Sequence, residues 1–208
     1  LVREMPAPGS TRLGRLLLHR PLAADVAREA MAWSRAAGLV PHVNHLERMV
    51  LPVSEDHADD YSRWNFGRVL LVPDVDAWIR HPVTKVISVA PPPLAERTLP
   101  AARAAFAGRA DATVSHPMFL EFLAPGVNKG RAMRYLARRL GVELRETLAI
   151  GDQLNDLEMI AEAGIGVAMA GSPEAVRAAA RIVAPPVAEE GAAQVLEELL
   201  LGGRQGPG

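Results

Sequence analysis

Cysteine is absent from the 208 residues, which excludes disulfide staples, zinc–thiolate sites and thiol nucleophiles together. Lysine is nearly absent too. Of 23 basic residues only Lys85 and Lys129 are lysines, so each is more informative than a lysine in an ordinary protein. Charge of one sign does not accumulate: the formal net charge is −1, and no sequence-wide field draws in nucleic acid or an anionic membrane. No apolar run approaches the roughly 18 residues that span a bilayer. The opening Leu1-Val2-Arg3-Glu4-Met5-Pro6 is too short and too polar for a signal sequence, and it does not begin with methionine. These absences suit a cytoplasmic enzyme with no nucleic-acid or membrane partner, whose chain is expected to start inside a longer sequence.

What is present is ordinary for a globular protein: 49% apolar and 23% charged residues. The length suits one large domain or two small ones. The pattern of elements changes part-way. Up to about residue 124, strands and helices mix without alternation. Leu16-Leu17-Leu18 reads as a strand, and residues 22–37 as a helix with Val26, Ala30, Trp33 and Ala37 in helical spacing and Gly38 as its stop. Residues 39–44 and 48–53 read as strands, 57–64 as a short helix, 83–89 as a strand, 94–107 as a helix, and 111–115 and 118–123 as strands. This is an α+β layer. From residue 125 the order becomes helix 129–140, strand 147–150, helix 155–163, strand 165–168, helix 173–180, strand 181–184 and helix 191–201. That alternation implies a parallel sheet with helices on both faces. The helix from Lys129 is amphipathic, with Ala132, Met133, Leu136, Ala137 and Leu140 on one face. Ser172-Pro173-Glu174 reads as a helix start with a capping hydroxyl. The tail from Gly202 reads as disordered.

Two segments carry chemistry. Gly151-Asp152-Gln153-Leu154-Asn155-Asp156 follows the apolar strand Thr147–Ile150, and parallel sheets bind ligands beyond the carboxyl ends of their strands. Two acids four residues apart with an amide between them suit a hard cation such as magnesium, which takes a few carboxylate oxygens and keeps its waters for a phosphate. The plainer alternative is that these acids cap the next helix. The second segment is Gly126-Val127-Asn128-Lys129-Gly130. A lysine at a helix N-terminus opposes the local dipole by about 0.3–1 kcal/mol unless an anion joins it, and backbone N–H groups with an ammonium make a phosphate seat. The alternative is a solvated lysine. The histidines form no metal-ligand spacing; His42 and His45 read as a partly exposed surface pair on a strand. Arg131, Arg134, Arg138 and Arg139 read as a solvated helix face.

Taken together, A-P-G-V-N-K-G, the helix after it, L-A-I-G-D-Q-L-N-D-L-E-M-I and G-I-G-V-A-M-A resemble the third and fourth motifs of haloacid-dehalogenase (HAD) phosphatases, of the Cof type. The resemblance is dense from about Phe119 to Leu200 and looser from about Leu13 to Ser115. It implies an α/β protein: an incomplete HAD-like, doubly wound (Rossmann-like) core in residues 125–208 and an α+β cap domain in residues 1–124. It further implies a Mg2+-dependent hydrolase of phosphate monoesters, acting on a sugar phosphate or similar small phosphorylated metabolite. Lys129 would steady the phosphoryl oxygens and Asn155 would orient the phosphate side. Asp152 would hold the metal, and Asp156 would support it or ligate it through water. Two positions depart from the pattern: Gln153 stands where a small residue is usual, and Ala170-Gly171-Ser172 follows V-A-M where relatives often carry asparagine.

The family's first motif, D-x-D-G-T, supplies the aspartate nucleophile, and it is missing here. Val69-Leu70-Leu71-Val72-Pro73-Asp74-Val75-Asp76 is a decoy: no Gly-Thr follows, a proline interrupts, and Asp74 and Asp76 are expected to start a short helix through Trp78. The chain as given is therefore expected to be inactive. The alternative is a whole but non-catalytic HAD-like binding or regulatory module. A third reading, the phosphorylation domain of a P-type ATPase, needs transmembrane helices and a D-K-T-G-T segment that are not in the sequence. A parallel core lacking a strand should expose apolar surface, so a homodimer or aggregation is expected unless another segment covers it.

Overall fold

In the computed structural model, which describes residues 2–4, 14–53, 68–200 and 202, the chain divides into the units Leu1–Val127 and Asn128–Gly208. In the first unit the β-branched and apolar runs lay down eight described strands. These are β1 (Val2–Glu4), β2 (Arg15–Leu18), β3 (Val40–His45), β4 (Arg48–Pro52), β5 (Val69–Val72), β6 (Lys85–Val89), β7 (Asp111–His116) and β8 (Phe119–Leu123). β1 and β2 pair as an antiparallel ribbon. The other six form one sheet in the order β5-β4-β3-β6-β8-β7, antiparallel except for the pair β4–β5.

The described helices of this unit are α1 (Ala24–Ala36), α2 (Val75–Trp78) and α3 (Leu94–Ala105). α1 ends where Gly38 takes φ +77°, a left-handed conformation that costs glycine nothing. α1 packs on β3 and β6, and α3 on β7 and β8. Trp33, Phe106 and Phe122 meet edge to face, with centroids 4.9–6.0 Å apart. Ser88 donates a buried 2.7 Å bond to the Ser34 hydroxyl of α1. Side chains alternate across a strand, so Val86, Ser88 and Phe122 face the helices while Lys85, Ile87 and Glu121 face away. On that far side Lys85 Nζ lies 2.8 Å from Glu121 Oε1, and Ser115 donates to the same oxygen.

Two details settle sequence expectations. His42 is 1% exposed rather than on the surface, and it sits beside the buried Ile87 of β6. Asp74 caps α2, accepting from Ala77 N at 3.1 Å, and Asp76 pairs with Arg35 at 2.8 Å, so both acids of the decoy have structural partners. The expected helix 57–64 and the tail beyond Gly202 lie outside the described residues.

The second unit contains α4 (Lys129–Leu140), β9 (Leu148–Gly151), α5 (Leu157–Glu162), β10 (Ile165–Met169), α6 (Glu174–Ala179), β11 (Ile182–Ala184) and α7 (Gly191–Leu200). β9, β10 and β11 form a parallel sheet with β10 central. Val167 and Met169 pack with Ala184 and with Val195 of α7. Ala168, on the opposite face, packs with Ile160 of α5 and Val176 of α6. The sheet is wound on both faces, as a parallel sheet requires. Among the described residues nothing pairs with the outer edge of β9. Of the apolar stripe on α4 only Ala137 is buried, and Leu140 is 72% exposed.

Ser172 does not cap α6 as its sequence suggested. The helix begins at Glu174 after Pro173 with no side-chain cap, and the buried Ser172 hydroxyl has no hydrogen-bond partner. Arg134 is not simply solvated either, since it pairs with Glu162 of α5. No helix among the described residues is long and apolar enough to cross a membrane.

Candidate active site

The site is built around one carboxylate. β9 runs out at Gly151, and the chain then turns through Asp152 and Gln153 into a 3-10 turn, Leu154–Asp156. Asp156 is 3% exposed. Its Oδ2 accepts the backbone N–H of Asp152 at 3.1 Å and of Gln153 at 3.2 Å. Its Oδ1 is in contact with the ammonium of Lys129. Both oxygens are thus committed inside the protein. Gly151 makes room for them: a Cβ there would stand 2.4 Å from Asp156 Cβ and 2.8 Å from Oδ2.

Lys129 is the first residue of α4, and Asn128 caps that helix by accepting from Arg131 N at 2.7 Å. The lysine side chain is 49% exposed while that of Asp156 is 4% exposed. One side of the ammonium is therefore held by a buried anion, and the rest is open to a second anion from solvent. The two amides of Asp152 and Gln153 are fixed by the same carboxylate, so the Asp152 turn and Lys129 are tied to one point. Asp152 itself is exposed. Asn155 is half-buried, and its Oδ1 is a buried oxygen without a hydrogen-bond partner.

The donors fit magnesium as part of a site. Asp152 offers a free carboxylate and Asn155 an unsatisfied amide oxygen, both hard donors of the kind Mg2+ takes while retaining water. Asp156 already receives three donors, one on Oδ1 and two on Oδ2. No group of three or more His, Cys, Asp or Glu residues suited to a metal occurs among the described residues.

A family model for haloacid dehalogenase-like hydrolases matches residues 12–196. The chain belongs to that family. It is 42% identical over 84 residues, 40% of this chain and 32% of the relative, to a Haemophilus influenzae protein with a provisional phosphatase name. It is 36% identical over 89 residues to the Bacillus subtilis 5-amino-6-(5-phospho-D-ribitylamino)uracil phosphatase YcsE, covering 43% of this chain and 36% of that one. The solved structure of a haloacid dehalogenase-like hydrolase from Bacteroides thetaiotaomicron superposes with a TM-score of 0.70 at 26% identity, over 88% of this chain and 70% of that one. The matched stretch spans about a third of the length of these curated relatives.

Of the four residues that the HAD resemblance singled out, the structure brings Lys129, Asp152 and Asp156 together, with Asn155 in the turn between the two acids. Two contributors escaped the sequence reading. Asn128 had a readable signal, an asparagine directly before an amphipathic helix. The space left by Gly151 had none, because only the folded turn shows what lies over that glycine.

Proposed function

We propose that this chain carries the lysine-bearing and metal-bearing part of a Mg2+-dependent phosphate-monoester hydrolase acting in the cytoplasm on a small phosphorylated metabolite, a sugar phosphate or a molecule like it. The observation that carries this reading is the shared Asp156 carboxylate, which holds a half-exposed lysine and the turn of an exposed aspartate at the carboxyl end of a parallel strand. In this reading Lys129 binds the phosphoryl oxygens, and Asp152 holds the metal with the Asn155 side-chain oxygen beside it. Asp156 acts as their positioning residue, supporting the metal site or ligating the metal through water. Magnesium, when bound, supplies charge neutralisation for the transferring phosphoryl group. The unit Leu1–Val127 serves as the cap domain.

Covalent phosphoryl transfer needs a nucleophile, and the family's D-x-D-G-T, which would supply an aspartate, does not occur in the 208 residues. Asp74 and Asp76, the nearest imitation, are engaged by Ala77 N and Arg35. The expected behaviour is therefore phosphate and metal binding without turnover.

The test is hydrolysis of p-nitrophenyl phosphate with and without Mg2+. It is run on the 208-residue chain and on the chain extended at its N-terminus by a D-x-D-G-T-bearing segment of a family member. Turnover is expected only in the extended protein and should disappear with Asp152→Ala. Turnover by the 208 residues alone would place a nucleophile inside them. Turnover that survives Asp152→Ala would remove the metal from that residue.

A further inference from the structure

We infer that Gly130 is a positioning residue for Lys129, setting the distance between the lysine and the Asp156 turn; this deepens, and rests on, the reading of Lys129 as the phosphate-binding cation. Gly130 has an ordinary helical backbone, since it is not among the positive-φ glycines. On propensity alone alanine would be better in a helix by up to about 1 kcal/mol, so the reason for glycine is not conformational. The reason is packing. A Cβ on Gly130 would lie 2.9 Å from Glu158 Cβ and 3.0 Å from both the carbonyl carbon and the carbonyl oxygen of Glu158. Two of these three atoms are backbone and the third is the root of a side chain, so none can swing away.

The close contact falls between the two partners of the ion pair. Lys129 is one residue before Gly130 on α4, and Asp156 is two residues before Glu158, at the entrance to α5. α4 and α5 pack against each other, and α4 also meets the turn that carries Asp156. Restoring an ordinary contact of about 3.5 Å around an added methyl would push the two backbones apart by roughly half an ångström. That displacement falls directly on the Lys129–Asp156 contact and changes both its length and its alignment, on which the strength of a hydrogen bond depends. Lys129 is half exposed and has water to turn to. Gly130 thus sets how closely the start of α4, with Lys129, approaches the turn that carries Asp156.

The two-lysine composition supplies the readout. In protein labelled only at lysine, NMR shows two side chains, and each is ion-paired: Lys129 with Asp156 and Lys85 with Glu121. With Gly130→Ala, the Lys129 ammonium signal is expected to broaden into water exchange and to shift the way it does in Asp156→Asn, while the Lys85 signal stays in place. Adding Glu158→Gly, which removes the nearest clashing atom, should bring the Lys129 signal part of the way back. A folded Gly130→Ala protein with an unmoved Lys129 signal overturns the inference. So does a chain that fails to fold, because Gly130 would then be a residue of general packing, and so does a double variant with no recovery. These spectra are taken without substrate or metal, so they can fail while the proposed function stands, and hydrolysis by the extended protein can fail while they hold.

Discussion

The two units reach close packing by opposite means. Leu1–Val127 holds all four phenylalanines and all three tryptophans of the sequence, whereas Asn128–Gly208 has Tyr135 as its single aromatic residue. The first unit fills the space between helices and sheet with rings: Trp33, Phe106 and Phe122 occupy the gap under α1 and α3. The second unit removes the gap instead. Gly130 lets α4 touch α5, and Gly151 lets the Asp156 carboxylate fold back onto its own turn. Rings tolerate some imprecision in the spacing of elements. Backbone-to-backbone contacts do not, and the residues proposed for chemistry sit in the unit built that way.

The same contrast extends to two ion pairs whose carboxylates are buried. Lys85 and Glu121 lie across neighbouring strands, with Ser115 as a further donor. Lys129 and Asp156 come from a helix start and a loop, and the carboxylate takes two backbone N–H groups besides. Removing one partner of a buried pair costs about 3–5 kcal/mol, and each charge-assisted bond from an amide contributes about 1.5–3 kcal/mol. Lys129 is half exposed, which discounts its own share.

The largest expected effects fall on these two kinds of packing. Phe122→Ala should cost about 3–5 kcal/mol, as for other buried large aromatics, and the loss should spread over the first unit in hydrogen exchange. Asp156→Ala should cost about 3 kcal/mol through its lost amide bonds and unpaired lysine, with exchange rising first at the amides of Asp152 and Gln153. If urea unfolding gave Asp156→Ala a cost no greater than that of an exposed surface change, the carboxylate would not be the anchor described. If Phe122→Ala opened the second unit as readily as the first, the contrast between them would fail.

A smaller effect concerns acid. Burial pushes the pKa of His19 and of His45 below the ordinary histidine value, with nearby histidines adding to it: His45 acts on His19, and His81 on His45. Both lie in the first unit. A histidine whose folded pKa is depressed is protonated more readily in the unfolded chain, so its contribution to stability is present above the unfolded value of about 6.5 and is lost as pH falls through the folded one. The melting temperature of the wild type should therefore fall more between about pH 7.5 and about pH 5 than that of a His19→Gln/His45→Gln variant. Parallel curves for the two proteins would count against it.

Most elements were legible because hydrophobic period is a local property. α4 has the bounds its amphipathic pattern predicts, and the alternation from Thr147 to Ala184 yields the parallel sheet. The failures are all matters of tertiary contact. A helix expected from Asn155 starts at Leu157, because the Asp156 side chain is turned back onto the amides of Asp152 and Gln153 and holds that stretch as a 3-10 turn. Ser172 looked like a cap, and the chain folds with its hydroxyl buried and unbonded instead. His42 looked like a surface residue because what covers one face of a sheet cannot be read from a strand's own sequence. The chemistry-bearing residue types of the site were legible, and the family resemblance already implied a division of labour between Asp152 and Asp156, but not that Asp156 is the buried carboxylate.

That division can be read most directly by titrating Mg2+ into the 15N-labelled 208-residue chain, in the presence of inorganic phosphate, while following the backbone amides. The expected result is a set of saturable shifts confined to the turn from Gly151 to Asn155 and to the start of α4, abolished by Asp152→Asn. No saturable shift in that turn, or shifts that persist unchanged in Asp152→Asn, would contradict the assignment of the metal to Asp152 and of the anchoring role to Asp156.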